Sequence, residues 1–130
     1  MKKILFGVLF IVALFFASLS IKACQFNFDI VNAKGEKIEN ISYKNGNEII
    51  VEIKYKQTHR NCNLSIDATK FTVDGFKIIS TTKWKTDKNN ESSKKLKLKI
   101  IDNQKTNSTL TVIRECDRGK HTDTFTLKKT

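Results

Sequence analysis

The sequence contains no proline, one methionine, one tryptophan and two histidines among its 130 residues. Several motifs that mark enzyme classes are also absent: there is no nucleophile elbow, no phosphate-binding loop and no HExxH helix. After residue 23, no window longer than about ten residues repeats apolar side chains at the helical period. These absences argue against those enzyme classes and against a helical domain. We expect no catalytic activity and no cofactor.

The first 23 residues have the layout of a secretory signal peptide. Lys2 and Lys3 precede an uncharged run from Ile4 to Ile21, and cleavage is expected after Ser20 or Ala23. This layout predicts export from a bacterial cell, to the periplasm or the cell envelope or outside the cell. The length of the uncharged run is close to the lower limit for a membrane span, so an uncleaved N-terminal anchor is the alternative.

Three cysteines in an exported chain leave one without a partner in the same chain. Cys24 is the natural odd one, because it lies at the mature terminus, and Cys62 and Cys116 then remain as a pair. Cleavage within IKAC, just before Cys24, would resemble a bacterial lipoprotein signal and would leave a lipid-bearing cysteine. Lys22 departs from that pattern. Lipidation of Cys24, like an uncleaved N-terminal segment, would associate the chain with a membrane.

The mature region, 24–130, is long enough for one domain and too short for two. Without Lys2, Lys3 and Lys22, the 24 basic residues of the chain become 21, against 13 acidic ones, so the formal charge of this region is +8. Neither a repeat nor a low-complexity segment stands out.

Strict alternation of apolar and polar residues dominates the mature region and predicts half-buried β-strands. In EIIVEIKYK the four odd-numbered residues from Ile49 to Tyr55 share one face. Phe71 and Val73 are out of phase with Leu64 and Ile66, which predicts a bulge or break near Thr69 and Lys70. The predicted strands cover residues 25–31, 48–56, 64–68, 76–86, 94–100, 109–116 and 122–128. This spacing predicts a single all-β domain, an antiparallel β-sandwich of about seven strands.

The strand count and spacing resemble those of the immunoglobulin and fibronectin-type group of exported sandwiches. The sequence separation between Cys62 and Cys116 suits the inter-sheet cysteines of antibody-like domains. Two details depart from that pattern. Trp84 lies too far beyond Cys62 to be the usual core tryptophan of the third strand, and Arg114 stands where the corner tyrosine is expected. The bridge is therefore not expected to be the central one of antibodies.

With the strands lettered A to G in chain order, the resemblance places Cys62 in the B–C connection and Cys116 at the end of strand F. These connections cluster at one pole of an immunoglobulin-like sandwich, so the two cysteines should meet there. A disulfide that closes so long a loop would stabilise the fold by roughly 4 kcal/mol. The other polar residues of this predicted pole are His59, Arg60, Arg114, Asp117, Arg118, Lys120 and His121.

Two interpretations of the pole give it no recognition role. In the first, the disulfide is purely structural, Asp117 turns the chain and Gly119 supplies a positive φ. In the second, the spacings H-x2-C and C-x4-H provide a zinc or copper site. The ligands of that site would be His59, Cys62, Cys116 and His121.

A third interpretation keeps the disulfide and uses the pole as a cationic recognition surface. Arg60, Arg114 and Arg118 would then contact an anion or a carboxylate. Arg114 has the same strand phase as Leu110 and Val112, so it needs a partner or a route to solvent.

Rows of lysines form a second charged feature on the strands. They are Lys54, Lys56, Lys77, Lys83, Lys85, Lys95, Lys97 and Lys99. If strands B, D and E share a sheet, as the resemblance implies, its outer face is positive and could attract an anionic surface. Solubility and protection of sheet edges is the plainer explanation. Trp84 has the strand phase of the core-facing residues, so no exposed aromatic side chain is left on which bases could stack. Nucleic acid is therefore not an expected partner.

The sequence thus predicts an exported, non-enzymatic domain that binds another envelope protein or an anionic surface through its B–C/F–G pole. The alternative is a metal-binding or electron-transfer accessory protein that uses the histidines and cysteines of the same pole.

Overall fold

In the computed structural model, the described residues are 24–39, 42–57, 64–116 and 119–130. Within these ranges the chain forms eight strands and no α-helix. The strands are β1 (Cys24–Val31), β2 (Glu48–Gln57), β3 (Lys70–Asp74), β4 (Phe76–Thr81), β5 (Lys85–Thr86), β6 (Glu91–Ile100), β7 (Asn107–Cys116) and β8 (Gly119–Lys128). The predicted all-β class is confirmed, while the predicted signal peptide lies outside the described residues. None of the helical structure in the described ranges is long and apolar enough to cross a membrane.

The strands form two antiparallel sheets. The first has the order β1-β2-β6-β4, with the short β5 also paired to β6, and the second has the order β3-β7-β8. Both sheets contribute side chains to one apolar core. Its fully buried apolar members are Val51, Ile53, Leu96, Leu98, Ile100, Leu110 and Val112. The sheets therefore pack face to face as a β-sandwich.

The period-two pattern predicted the inward faces correctly. The odd-numbered residues of β2 from Ile49 to Tyr55 are buried, and so are Leu96, Leu98 and Ile100 of β6. Burial of a valine, leucine or isoleucine side chain contributes about 1.5–3 kcal/mol. A register shift of one residue would turn all the apolar side chains of a strand towards solvent, so burial fixes the register of these strands.

The predicted strand over residues 64–68 is wrong. Residues Ile66–Ala68 form one 3₁₀ turn, and Leu64 is 42% exposed. Ser65 accounts for the difference, because its Oγ accepts the N–H of Asp67 at 3.3 Å. Local bonds of this kind compete with the ladder of a sheet. The third strand begins instead at Lys70, beside the predicted break.

The predicted strand over residues 76–86 is divided in two. β4 ends at Thr81 and β5 begins at Lys85, and the pairing of β4 with β6 changes register between Ile78 and Ser80. Across the gap, Thr82 exchanges backbone and side-chain hydrogen bonds of 2.9 Å with Lys95 of β6. The interruption raises the number of strands from the predicted seven to eight.

Candidate functional site

The predicted pole lies where β7 ends and β8 begins. The register places Arg114 opposite His121 and Cys116 opposite Gly119. Gly119 has a φ of +134°, in agreement with the positive φ expected there. Arg114, Cys116, Lys120 and His121 belong to the described residues. The other members of the predicted set, His59, Arg60, Cys62, Asp117 and Arg118, lie outside them.

Arg114 lies beneath the surface of the pole, with an exposed fraction of 2%. Its Nη1 donates to the carbonyl oxygen of Ser65 at 3.1 Å, and its Nη2 donates to that of Leu64 at 2.9 Å. The guanidinium carbon also lies 5.0 Å from the centre of the Tyr55 ring. These contacts supply the partner that an inward-facing arginine requires. The two carbonyls are available to it because residues 64 and 65 belong to no sheet ladder.

A second polar cluster connects the two sheets at the edges formed by β1 and β8. Asp123 Oδ2 lies 2.8 Å from His121 Nε2 and accepts the N–H of Phe26 at 3.1 Å. The Phe26 ring stacks on the His121 ring at 6.2 Å and packs against Tyr55 at 4.8 Å. The half-buried His121 is therefore held between a carboxylate and an aromatic ring.

Asp123 was not among the predicted site residues, although its strand phase was a signal for it. Asp123 has the same phase in β8 as the half-buried His121 and Phe125 and the buried Leu127. A carboxylate on an otherwise inward face indicates a hydrogen-bonded partner in the interior.

The metal site predicted at the pole lies partly outside the described residues. The described part of the chain contains no group of three or more His, Cys, Asp or Glu side chains arranged to hold a metal ion. Two of the four predicted ligands, His59 and Cys62, lie outside that part. His121 Nε2 is already engaged by Asp123, so only Nδ1 of this ring would remain to coordinate a metal.

The described part of the pole carries charges of both signs. Glu115, which the sequence analysis left out, lies directly opposite Lys120 on the neighbouring strand. Both residues are exposed. A cationic pole therefore depends on the two arginines outside the described residues, Arg60 and Arg118.

Seven of the eight predicted lysines lie on one sheet, because β2, β4, β5 and β6 belong to it. Lys83 lies between β4 and β5. Acidic residues interrupt the lysine rows. Lys97 Nζ lies 3.3 Å from a carboxylate oxygen of Glu48, and Lys54 Nζ lies 3.7 Å from one of Glu52. The predicted positive outer face is therefore interrupted by carboxylates at Glu48 and Glu52.

A groove of about 550 Å³ lies at the end of the first sheet opposite to the pole. It was missed by the sequence analysis, although an isoleucine on the otherwise polar outer face of β2, Ile50, is a signal for it. The groove is lined mainly by Ile30, Val31, Ile38, Tyr43, Ile50 and Lys97. Burial in this lining raises the pKa of the Tyr43 hydroxyl above its ordinary value. It is an apolar concavity with a charged rim.

Comparison with known proteins assigns no family to this chain. No family model, curated protein or solved structure matches it. Its function must therefore be inferred from the fold and from the chemistry of its surface.

Proposed function

We propose that this chain is a non-enzymatic, exported binding module of the bacterial cell envelope. Its sandwich is of the immunoglobulin type, and its B–C/F–G pole recognises another envelope protein or an anionic surface. The strand order supports this assignment. With β3 in the place of strand C, and with β4 and β5 taken together as strand D, the first sheet reads A-B-E-D and the second reads C-F-G, as in constant-type immunoglobulin domains.

The anchoring of Arg114 is the observation that carries the proposal. Its bonds to Leu64 and Ser65 hold the end of the B–C connection against the end of strand F. Cys62 is two residues before Leu64, and Cys116 is two residues after Arg114. A bridge between the two cysteines would extend the same junction by one step. The disulfide-bonded state of Cys116 supports such a bridge, and its pairing with Cys62 is part of the proposal.

A junction of this kind favours recognition because it orders the pole before a partner arrives. Ordering a flexible side chain during binding costs about 0.5–1.5 kcal/mol, and a pre-ordered surface avoids part of that cost. Loops held by a rigid sandwich are frequent binding sites. Arg60 and Arg118 would supply the contacts, since a guanidinium can donate two parallel hydrogen bonds to a carboxylate or a phosphate.

Charge reversal tests the pole. We expect Arg60→Glu and Arg118→Glu each to reduce the amount of partner that is chemically crosslinked to the tagged chain in intact cells. Lys34→Glu is the matched control, because Lys34 is exposed and follows the opposite end of β1. Equal recovery from all three variants and the parent would rule out recognition at the pole.

Alkylation of the unreduced protein tests the bridge and separates it from the metal alternative. A disulfide predicts that Cys62 and Cys116 resist alkylation until the protein is reduced. The metal alternative predicts stoichiometric zinc or copper, with both thiols reacting once a chelator is added. The intact mass of the same sample also reports the cleavage site and any lipid on Cys24.

A further inference from the structure

Two open sheets have four edges, and three of them carry a protective feature. β3 has only five residues, and β4 changes register where it pairs with β6. Outward-facing backbone groups of β1 already have partners near both ends of the strand. The Phe26 N–H donates to Asp123 at 3.1 Å, and the Ile30 carbonyl accepts the Ile38 N–H at 2.8 Å. Short strands, irregular pairing and covering segments are the usual means by which proteins prevent edge-to-edge association.

β8 is the exception. It has ten residues, and all ten pair with β7 in an uninterrupted register. No other strand of the described ranges pairs with its far side. Thr122, Thr124 and Thr126 form the centre of this edge, and their side chains are exposed.

The hydrogen bonds just beyond β8 identify the backbone groups that face outward. The Lys129 N–H donates at 2.8 Å to Thr106, on the β7 side, whereas the Thr130 N–H donates at 2.9 Å to Tyr43, on the other side. Because these directions alternate along an antiparallel ladder, even-numbered residues of β8 point their N–H and C=O groups away from β7. Within the described ranges, no backbone hydrogen bond reaches these groups between Lys120 and Lys128.

The side chains next to this edge differ between the two faces of the sheet. On the outer face, the threonine hydroxyls continue onto β7, where Thr111 Oγ1 lies 3.3 Å from Thr124 Oγ1. On the inner face, the half-buried rings of Phe28 and Phe125 lie 5.8 Å apart and form an apolar seam between the edges of β1 and β8. An added strand would place every second side chain over that seam.

We propose that the β8 edge binds an extended segment of another polypeptide, which adds a fourth strand to the second sheet. Backbone hydrogen bonds to Thr122, Thr124 and Thr126 would supply affinity, and the alternating faces would supply specificity. The segment should alternate apolar side chains, which cover the Phe28–Phe125 seam, with hydroxyl side chains beside the threonines. The segment should also carry an acidic residue beside Lys128, because the residue opposite Lys128 on β7, Asn107, is neutral.

A second copy of this chain fits the edge less well. Antiparallel pairing of two β8 strands over their full length, centred on Thr124, would place Lys120 of each copy directly opposite Lys128 of the other. Like charges directly opposite each other destabilise a strand pair. A foreign segment with acidic ends has no such conflict.

Amide hydrogen exchange on the ¹⁵N-labelled protein tests the proposal. The probe is the nonapeptide Glu-Val-Thr-Val-Thr-Val-Thr-Val-Glu, acetylated and amidated at its ends. We expect it to slow exchange at the amides of Thr122, Thr124 and Thr126 by about tenfold, because their outward N–H groups gain acceptors. The amides of Asp123 and Phe125, which already face β7, should change little.

Thr124→Pro removes one outward donor without removing a bond to β7, and sheets tolerate proline at such edge positions. It should abolish the protection, whereas Thr124→Ser, which keeps the donor, should retain it. Unchanged amide spectra of β2 and β6 would show that the proline variant is folded.

Two results would overturn the proposal. One is an absence of protection with the peptide in excess. The other is protection that rises with protein concentration without peptide, which would identify a second copy as the occupant. The β8 edge does not depend on the proposed pole. Arg60→Glu should therefore leave the protection by the peptide unchanged.

Discussion

Replacing Arg114 with methionine removes a buried charge and its hydrogen bonds to Leu64 and Ser65 but keeps an unbranched apolar stem. The parent guanidinium donates at 3.1 and 2.9 Å to two carbonyls that lie before β3. The variant removes the guanidinium donor from both carbonyls, although that of Ser65 still accepts the N–H of Ala68 at 3.0 Å. It also detaches the segment before β3 from the end of β7.

The expected loss of stability follows from these two bonds. A hydrogen bond to a charged group contributes about 1.5–3 kcal/mol, so the pair accounts for about 3–6 kcal/mol before offsets. Methionine avoids the cost of desolvating the guanidinium, and this offsets part of the lost stabilisation. We therefore expect the free energy of unfolding to fall by about 3 kcal/mol. For a domain of this size, that lowers Tm by about 12 °C or more.

Urea unfolding followed by tryptophan fluorescence measures this loss. Trp84 is the only tryptophan in the chain, and its ring stacks on Phe71 at 6.4 Å. Unfolding exposes the ring and changes its emission. Lys120→Met is the matched control, because Lys120 is exposed and its replacement should change stability by no more than about 0.5 kcal/mol.

An unchanged urea midpoint for Arg114→Met would refute the reasoning. It would mean that the cost of burying the guanidinium cancels its bonds to the two carbonyls. The junction between the B–C connection and strand F would then have to be held by other contacts.

Two further predictions concern the opposite end of the second sheet. Gly75→Ala should destabilise the fold by about 3 kcal/mol in thermal melts, because φ is +77° and a Cβ would collide with Ser108 Oγ. Gly46→Ala is its control and should cost only about 1 kcal/mol, from its positive φ alone, since a Cβ there meets nothing within 4 Å. Hydrogen bonds from Lys105 and Asn103 hold the pKa of Asp74 below its usual range. The depressed pKa stabilises the fold above the unfolded value of about 4 and ceases to do so as the pH falls through the folded value. The stability difference between parent and Asp74→Asn should therefore shrink between pH 7 and pH 3; a constant difference would contradict this assignment.

The parts of the fold that the sequence predicted are those in which each residue carries its own signal. In β2 and β6, side chains alternate between core and solvent, so burial and sequence pattern contain the same information. Strand boundaries were less accurate where a hydroxyl accepts a backbone N–H. Ser65 Oγ accepts that of Asp67, two residues on, and Thr82 Oγ1 accepts that of Lys95 on β6; both residues lie where a strand was predicted.

The site was harder to predict because its contacts join residues that are far apart in the chain. The phase of Arg114 indicated that it faces inward and needs a partner, but its acceptors are 49 and 50 residues away. They are backbone carbonyls, which every residue possesses, so composition gives no sign of them. The Asp123–Phe26 bond spans 97 residues and likewise uses a backbone group.

The burial of Arg114 separates two roles that the sequence analysis combined. A guanidinium with 2% exposure that already donates to two carbonyls is poorly placed to contact a partner, so its effect on recognition would be indirect. Lost binding in an Arg114 variant would therefore not distinguish a lost contact from a loosened pole. Arg60 and Arg118 are the informative positions, because a contact role there predicts lost binding with unchanged unfolding. By this reasoning, the buried arginine belongs to the scaffold of the pole and the other two belong to its binding surface.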